Sequence, residues 1–385
     1  MMPPVVITGL GVVSPLGHSV EALLQGVAAS GPPYAHDRER ALTVAEIPLE
    51  AIPPDKRSRI GRLDRLCRMF LSASYLAVDS AALTIAPAQA DRVGLSFGTG
   101  LGCLLTNAEY NQKIIEQGPA AASPRLFAYT VSSAAAGEVS IALGIRGPNV
   151  TAHMGLAAGL GAVGYGFDLI QMGKADVVLA GGADVLGSAL LEGLDDMGLL
   201  KAPEQSRPFA DAVAGIWPSE GAVVVVLERQ DHAGQRGARA LGRIDGYGAG
   251  FEPSLTRRAR ECTGISATMR RALDLSGHVP DDIALVLAGA HGTPLDASEQ
   301  AALAQLFGPS PPLVLAPKAV LGESFAASGV LALALAAGVM RPEAFCGSSL
   351  SMAEEGLLEP PVVMVNALCY SGNIVSLVLS REETS

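Results

Sequence analysis

The chain has 385 residues, 49% hydrophobic but only 4% aromatic, with 44 glycines and a formal net charge of −11. That apolar content excludes a disordered chain, and the length suits one large α/β unit or two similar halves. The acidic balance lacks a dense Lys/Arg run and argues against nucleic-acid binding, while the short basic cluster Arg257, Arg258 and Arg260 reads as a solvated face.

In chain order, "PVVITGLGVVSPLG" reads as a buried strand leading into a loop, and "SVEALLQGVAAS" as a short helix with Ser19 as N-cap. Apolar residues at helical spacing predict one long helix over 59–83. Residues 92–102 read as a strand ending in a glycine turn, and 103–137 as less regular. "NVTAH" is a strand, and a very apolar helix begins at about Leu156, with Gly173 near its end. Strands follow at 175–184, 219–228 and from 238–250.

A similar order then restarts. "SATMRRALDLSG" predicts a helix, "DIALVLAGAHGT" a strand, "ASEQAALAQLFG" and "GVLALALAAGVM" helices, and 361–380 two closing strands around a glycine turn. Strands alternating with helices imply an α/β fold with a mostly parallel sheet covered on both faces, built as two like halves in one compact unit, 1–240 and 241–385. Cys67, Cys103, Cys262, Cys346 and Cys369 are scattered and odd in number, with no C-x-x-C spacing. This speaks for a reducing compartment and against a disulfide framework or a metal site. The start has no charged leader, and the apolar runs are too short to span a bilayer. The expectation is a soluble, cytoplasmic protein that needs no membrane.

The stretch "TAHMGLAAGLGAVG" (151–164) looks like a strand-to-helix turn that mounts a nucleophile, yet it holds no Cys, Ser or Lys. A helix N-terminus offers unpaired N–H groups and partial positive charge, which lower a thiol's pKa and hold an oxyanion. On its own the stretch also fits a buried Gly/Ala helix. His153 reads as a core or supporting histidine rather than a base.

Nearly the whole chain resembles the β-ketoacyl synthases of the thiolase superfamily. The segments are "VVITGLGVVSPLG", "RLDRLCRM", "VGLSFGTGLG", "GPNVTAHMGLAAG", "ADVVLAGGAD", "SRPFADAVAGIWPSEGAVVVVLE", "GAHGT", "PKAVLGESFAASG" and "NALCYSGN", in family order. The resemblance implies a thiolase-like fold, two duplicated α/β halves forming a five-layered αβαβα core. It implies a Cys at the helix N-terminus, two histidines that assist decarboxylation, and a supporting Lys and Glu.

Carried over by motif, the nucleophile position is Leu156, which cannot be acylated. The first histidine is His291. The second is replaced by Glu323, a carboxylate that opposes enolate formation. Lys318 and Glu220 match the supporting pair, and Lys318 could instead pair with Glu323. Tyr370 matches the family's gating Phe. Thr293 remains from a pantetheine-holding segment that is shortened here. Trp217 closes a pocket or fills the core. Cys369, beside Tyr370, and Cys103 read as buried packing cysteines.

The resemblance implies three alternatives. The first is a non-catalytic chain-length-factor subunit of a type II polyketide synthase. It would heterodimerise with a catalytic ketosynthase and shape its tunnel, for a polyene or aryl polyene rather than an aromatic product, with acyl carrier protein docking mainly on the partner. The second is an autonomous thioester enzyme using His291 and Glu323. The third is a homodimeric module that binds acyl chains or carrier protein. The segment 103–137 is the expected interface in the first and third, and no cofactor is expected.

Overall fold

The structure, a computed structural model, describes residues 3–28, 41, 43–44, 47–201, 208–209, 215–252, 262–341 and 360–382. The cluster Arg257, Arg258 and Arg260 and Cys346 lie outside the described residues. The first half runs β1 (Val5–Val13), α1 (Val20–Ala28), α2 (Arg65–Ser80), β2 (Val93–Gly98), α3 (Leu104–Gln117), α4 (Pro124–Phe127), α5 (Ala134–Leu143), β3 (Asn149–Ala152), α6 (Ala158–Gln171), β4 (Val177–Asp184), α7 (Ser188–Asp196), β5 (Gly221–Arg229) and α8 (Gln230–Gln235). The second runs β6 (Gly242–Phe251), α9 (Thr263–Ser276), β7 (Leu285–Leu287), α10 (Pro294–Phe307), β8 (Leu313–Leu315), α11 (Lys318–Leu321), α12 (Ala326–Met340), β9 (Val362–Leu368) and β10 (Asn373–Ser380).

Ser19 caps α1 as expected, its hydroxyl accepting from the Ala22 N–H at 3.1 Å. The long helix expected over 59–83 starts later. Residues 57–62 form a 3-10 turn, and Asp64 caps α2 by accepting from the Cys67 N–H at 2.8 Å. The segment 103–137 is more regular than expected and holds α3 and α4. Among α3 residues only Thr106 is buried, so the helix offers no core-facing stripe for a periodicity argument to find.

The sheet order is β3-β2-β4-β5-β1-β6-β10-β9-β7-β8. The first five strands and the last five repeat one order, mirrored about a short antiparallel junction in which Val5, Val6 and Ile7 face Ile244, Arg243 and Gly242. The expectation of a mostly parallel sheet is corrected. β2 pairs parallel with β3 and β4, and β7 with β8 and β9, but β1, β5, β6 and β10 pair antiparallel. β1, β5 and β10 are buried on both faces, so their apolar runs look the same as those of parallel strands, whereas β6 alternates buried residues with half-buried or exposed ones.

Five layers result. α2 and α5 cover the outer face of the first strand set, where the rings of Phe70 and Phe97 meet at 4.3 Å. α6 and α12 lie between the two strand sets, in a core of Leu160, Val163, Val330, Leu331 and Leu377. α9 and α10 cover the outer face of the second set around Met269, Leu303 and Met364. The two central helices touch backbone to backbone: a Cβ on Gly159 would lie 2.0 Å from the Ala326 carbonyl oxygen, so only glycine fits there. That contact brings the N-terminal ends of α6 and α12 together.

Candidate functional site

The site lies where those helix ends meet. Leu156 sits in a 3-10 turn (Gly155–Ala157) just before α6, rather than at the first residue of the helix. Gly155 takes φ +56°, which lets the chain turn from β3 into the helix. The Leu156 side chain is buried and packs with Leu186, Ile216, Phe325 and Cys369. Its backbone N–H donates to Cys369 Sγ at 3.3 Å. The same sulfur accepts from the Ser371 hydroxyl at 3.1 Å. Cys369 is buried, as the sequence reading expects, but it is not confined to apolar packing.

Tyr370 follows Cys369, and its ring stands edge-on to His291 with centroids 4.9 Å apart. Burial pushes the Tyr370 hydroxyl pKa well above the ordinary tyrosine range. His291 is buried, with Nδ1 3.2 Å from the Gly289 carbonyl and Nε2 3.2 Å from the Thr293 hydroxyl. A carbonyl only accepts, so Nδ1 carries the proton and Nε2 accepts from Thr293. Burial lowers the His291 pKa, and the Lys318 ammonium pushes the same way, so the ring is neutral at neutral pH.

Lys318 donates to the Gly289 carbonyl at 2.9 Å and to Glu323 Oε2 at 2.7 Å. The pair is almost fully buried. Glu323 Oε1 accepts from the Phe325 N–H at 2.9 Å and the Ser328 hydroxyl at 2.8 Å. Both carboxylate oxygens are therefore engaged. The Glu323 backbone is tied to Trp217, whose carbonyl accepts the Glu323 N–H at 2.8 Å. Trp217 is buried, and its indole N–H has no partner among the described residues.

The structure thus brings Leu156, Tyr370, His291, Thr293, Lys318, Glu323 and the Trp217 backbone into one region. Glu220 turns elsewhere: it pairs with Arg65 and accepts from the Val44 and Leu186 N–H groups at 2.8 and 3.1 Å. His153 is exposed, which corrects its reading as a core histidine. It follows an edge strand whose residues are half-buried or exposed.

The motif reading misses several buried carboxylates, Glu299 and Asp184 among them. Glu299 Oε1 accepts from the Gly289 N–H and from Asn366 Nδ2, both at 3.0 Å. Burial raises its pKa to about 7. Asp184 receives the Thr99 hydroxyl at 2.6 Å and the Ala326 N–H at 2.9 Å, holding the start of α12. Burial raises its pKa too, against those hydrogen bonds. The available sequence signal for both is a charge inside an otherwise apolar segment, "VVLAGGAD" and "PLDASEQAAL".

Comparison with known proteins decides the family. Residues 2–233 match the beta-ketoacyl synthase N-terminal domain, and residues 241–347 match the C-terminal domain. The chain belongs to the β-ketoacyl synthase family. It is 29% identical, over an alignment 409 positions long, to 3-oxoacyl-[acyl-carrier-protein] synthase 2 of Staphylococcus aureus strain COL, covering 98% of both chains. The Coxiella burnetii protein of the same name is 28% identical, again with 98% of each covered. Among solved structures, the ishigamide ketosynthase/chain length factor superposes with a TM-score of 0.84 at 26% identity, covering 100% of both chains. A β-ketoacyl synthase from Burkholderia phymatum STM815 has the same fold, with TM-score 0.84 at 24% identity over 99% of this chain and 100% of that one. Among the described residues no helix is long and apolar enough to cross a membrane.

Proposed function

We propose that this β-ketoacyl synthase family member is a non-catalytic chain-length-factor subunit. It pairs with an active ketosynthase and shapes the tunnel in which a carrier-bound polyketide chain grows, in the cytoplasm and preferentially for a polyene-type product. The two halves, 1–240 and 241–385, act as one unit.

The observation that carries this reading is Leu156. An alkyl side chain stands at the turn before α6, where the family motif places its nucleophile, and the N–H that would steady an oxyanion is already bound to Cys369. His291 and Glu323 have their polar atoms engaged by Thr293, Gly289, Lys318, Phe325 and Ser328, which counts against an autonomous enzyme built on them. The likeness to a ketosynthase/chain length factor supports the same reading.

The surface supports a partner. β3 is an edge strand, and α3, α4, α5 and the turn between α4 and α5 expose Ile115, Phe127, Ile141 and Val131, each at least half exposed. A homodimeric binding module would use the same surface, so native mass separates the two. After co-expression with the cognate ketosynthase and incubation with acyl carrier substrate, a one-to-one heterodimer with acyl mass only on the partner is expected. A homodimer that ignores the partner, or acyl mass on this chain, rejects the proposal.

A further inference from the structure

Phe325 has a backbone conformation that its side chain disfavours. It takes φ +53° and ψ −123°, a region suited to glycine, and is one of three non-glycine residues with positive φ among those described. Such a conformation is strained and persists only where the surroundings hold it. Here the holding groups are identifiable. The Phe325 N–H donates to Glu323 Oε1 at 2.9 Å, and the Ala326 N–H donates to Asp184 Oδ2 at 2.9 Å. Glu323 is fixed in turn by Lys318 at 2.7 Å and by the Ser328 hydroxyl at 2.8 Å. The Ser328 oxygen also accepts from the Ser324 N–H at 2.8 Å, which closes a ring of bonds around the strained residue.

The result is a placed aromatic ring. Phe325 is 6% exposed and packs in the cluster of Leu156, Leu186, Ile216 and Cys369. A relaxed backbone would direct the side chain elsewhere, because φ sets the direction of the Cα–Cβ bond relative to the chain before it.

We propose that Phe325 is a strained plug that closes the pocket around Leu156 and Cys369, and that Glu323 is the positioning residue that holds it there. The carboxylate at 323 then has a role as a clasp in place of chemistry. This rests on the reading of Leu156 as a vacated seat: a pocket that receives no acyl chain is filled from within, and the Cys369 thiol is kept from reacting with acyl thioesters and other electrophiles.

The test uses the full-length chain, iodoacetamide and peptide mass spectrometry, with Cys369 as the reporter and the fully buried Cys67 as an internal control. Glu323→Ala and Phe325→Gly are each expected to raise Cys369 alkylation about tenfold or more while Cys67 stays protected, because only the local clasp is opened. Glu323→Gln keeps an acceptor for the Phe325 N–H and should retain most of the protection. Unchanged Cys369 protection in Glu323→Ala and Phe325→Gly overturns the plug. So does a parallel rise at Cys67, which would mean a merely structural role. The measurement needs neither partner nor turnover. Loss of the plug would thus leave the chain-length reading standing, whereas acyl mass on this chain would remove that reading on its own account.

Discussion

The backbone N–H of Leu156 donates to the thiol of Cys369 across 213 residues of sequence, at 3.3 Å. The two halves of the fold meet at this contact. On the proposed reading, two separate features oppose catalysis at the turn before α6: position 156 itself carries no nucleophile, and its N–H is occupied by Cys369.

Leu156→Cys alone should therefore remain inactive. The new thiol would meet Glu323 in place of a second histidine, a Thr293 hydroxyl already bound to His291, and an N–H bound to Cys369. The check is decarboxylation and condensation of malonyl-carrier substrate by the purified variant without partner. Turnover above the wild-type background would refute the reading that Glu323 and the shortened segment after Thr293 also oppose the chemistry.

Gly155→Ala should destabilise the chain. Its φ is +56°, and an added Cβ would lie 2.3 Å from Cys369 Sγ. Strain and overpacking together predict a loss of about 1–3 kcal/mol, read from the denaturant midpoint. Gly137→Ala is the matched control: it lies inside α5, an added Cβ meets nothing within 4 Å, and it should be neutral or stabilising.

Lys318→Met should cost about 3–5 kcal/mol, because it leaves the Glu323 carboxylate buried without its cation. Replacing both, Lys318→Met with Glu323→Leu, should recover much of that loss, since no charge is then left unpaired. A double-mutant cycle by chemical denaturation measures the coupling.

Glu299→Gln should change the pH dependence of stability. The folded chain holds the Glu299 proton up to about pH 7, against 4.5 for an ordinary glutamate. Between those values the folded state binds more protons than the unfolded one, so this group's contribution falls as pH rises through 7. The variant should gain on the wild type from about pH 5 to about pH 8, by at most roughly 3 kcal/mol. His291, with a lowered pKa, has the opposite slope, its contribution lost as pH falls below the ordinary histidine range. It is common to both proteins and largely cancels in the difference. A flat difference across that range would count against a protonated Glu299.

Phe127→Asp should weaken the proposed heterodimer without unfolding the chain, since Phe127 is 59% exposed at the end of α4. Loss of one aromatic anchor predicts at least a tenfold rise in Kd, about 1.4 kcal/mol. Titration of the purified variant with the ketosynthase reads this directly. An unchanged Kd would move the interface away from 103–137.

Much of the fold was legible because its strands and central helices are bounded by Gly, Pro and capping residues. β2, β4, β5, α6 and α12 fall close to where periodicity puts them. Strand direction was not legible: β1 and β5 are buried on both faces, and an apolar run carries no sign of its neighbour's orientation. α3 escaped because it packs little against the core. In the site, motif spacing named Leu156, His291, Lys318, Glu323, Thr293 and Tyr370, and these do converge. The partner of Glu220 was not legible, because motif spacing says nothing about which cation a carboxylate meets, and Arg65 lies 155 residues away.

The sequence by itself determined the layered α/β class, the family likeness and the residue types at the site, since these follow from local periodicity, turn chemistry and motif order. Only the tertiary structure decided the partnerships. Cys369 on Leu156, Lys318 on Glu323, and Glu299 beside Gly289 and Asn366 depend on how two repeated halves close on each other around α6 and α12. Burial in that closure sets the charge states of His291 and Glu299, because desolvation is a property of the packed interior and not of the chain order.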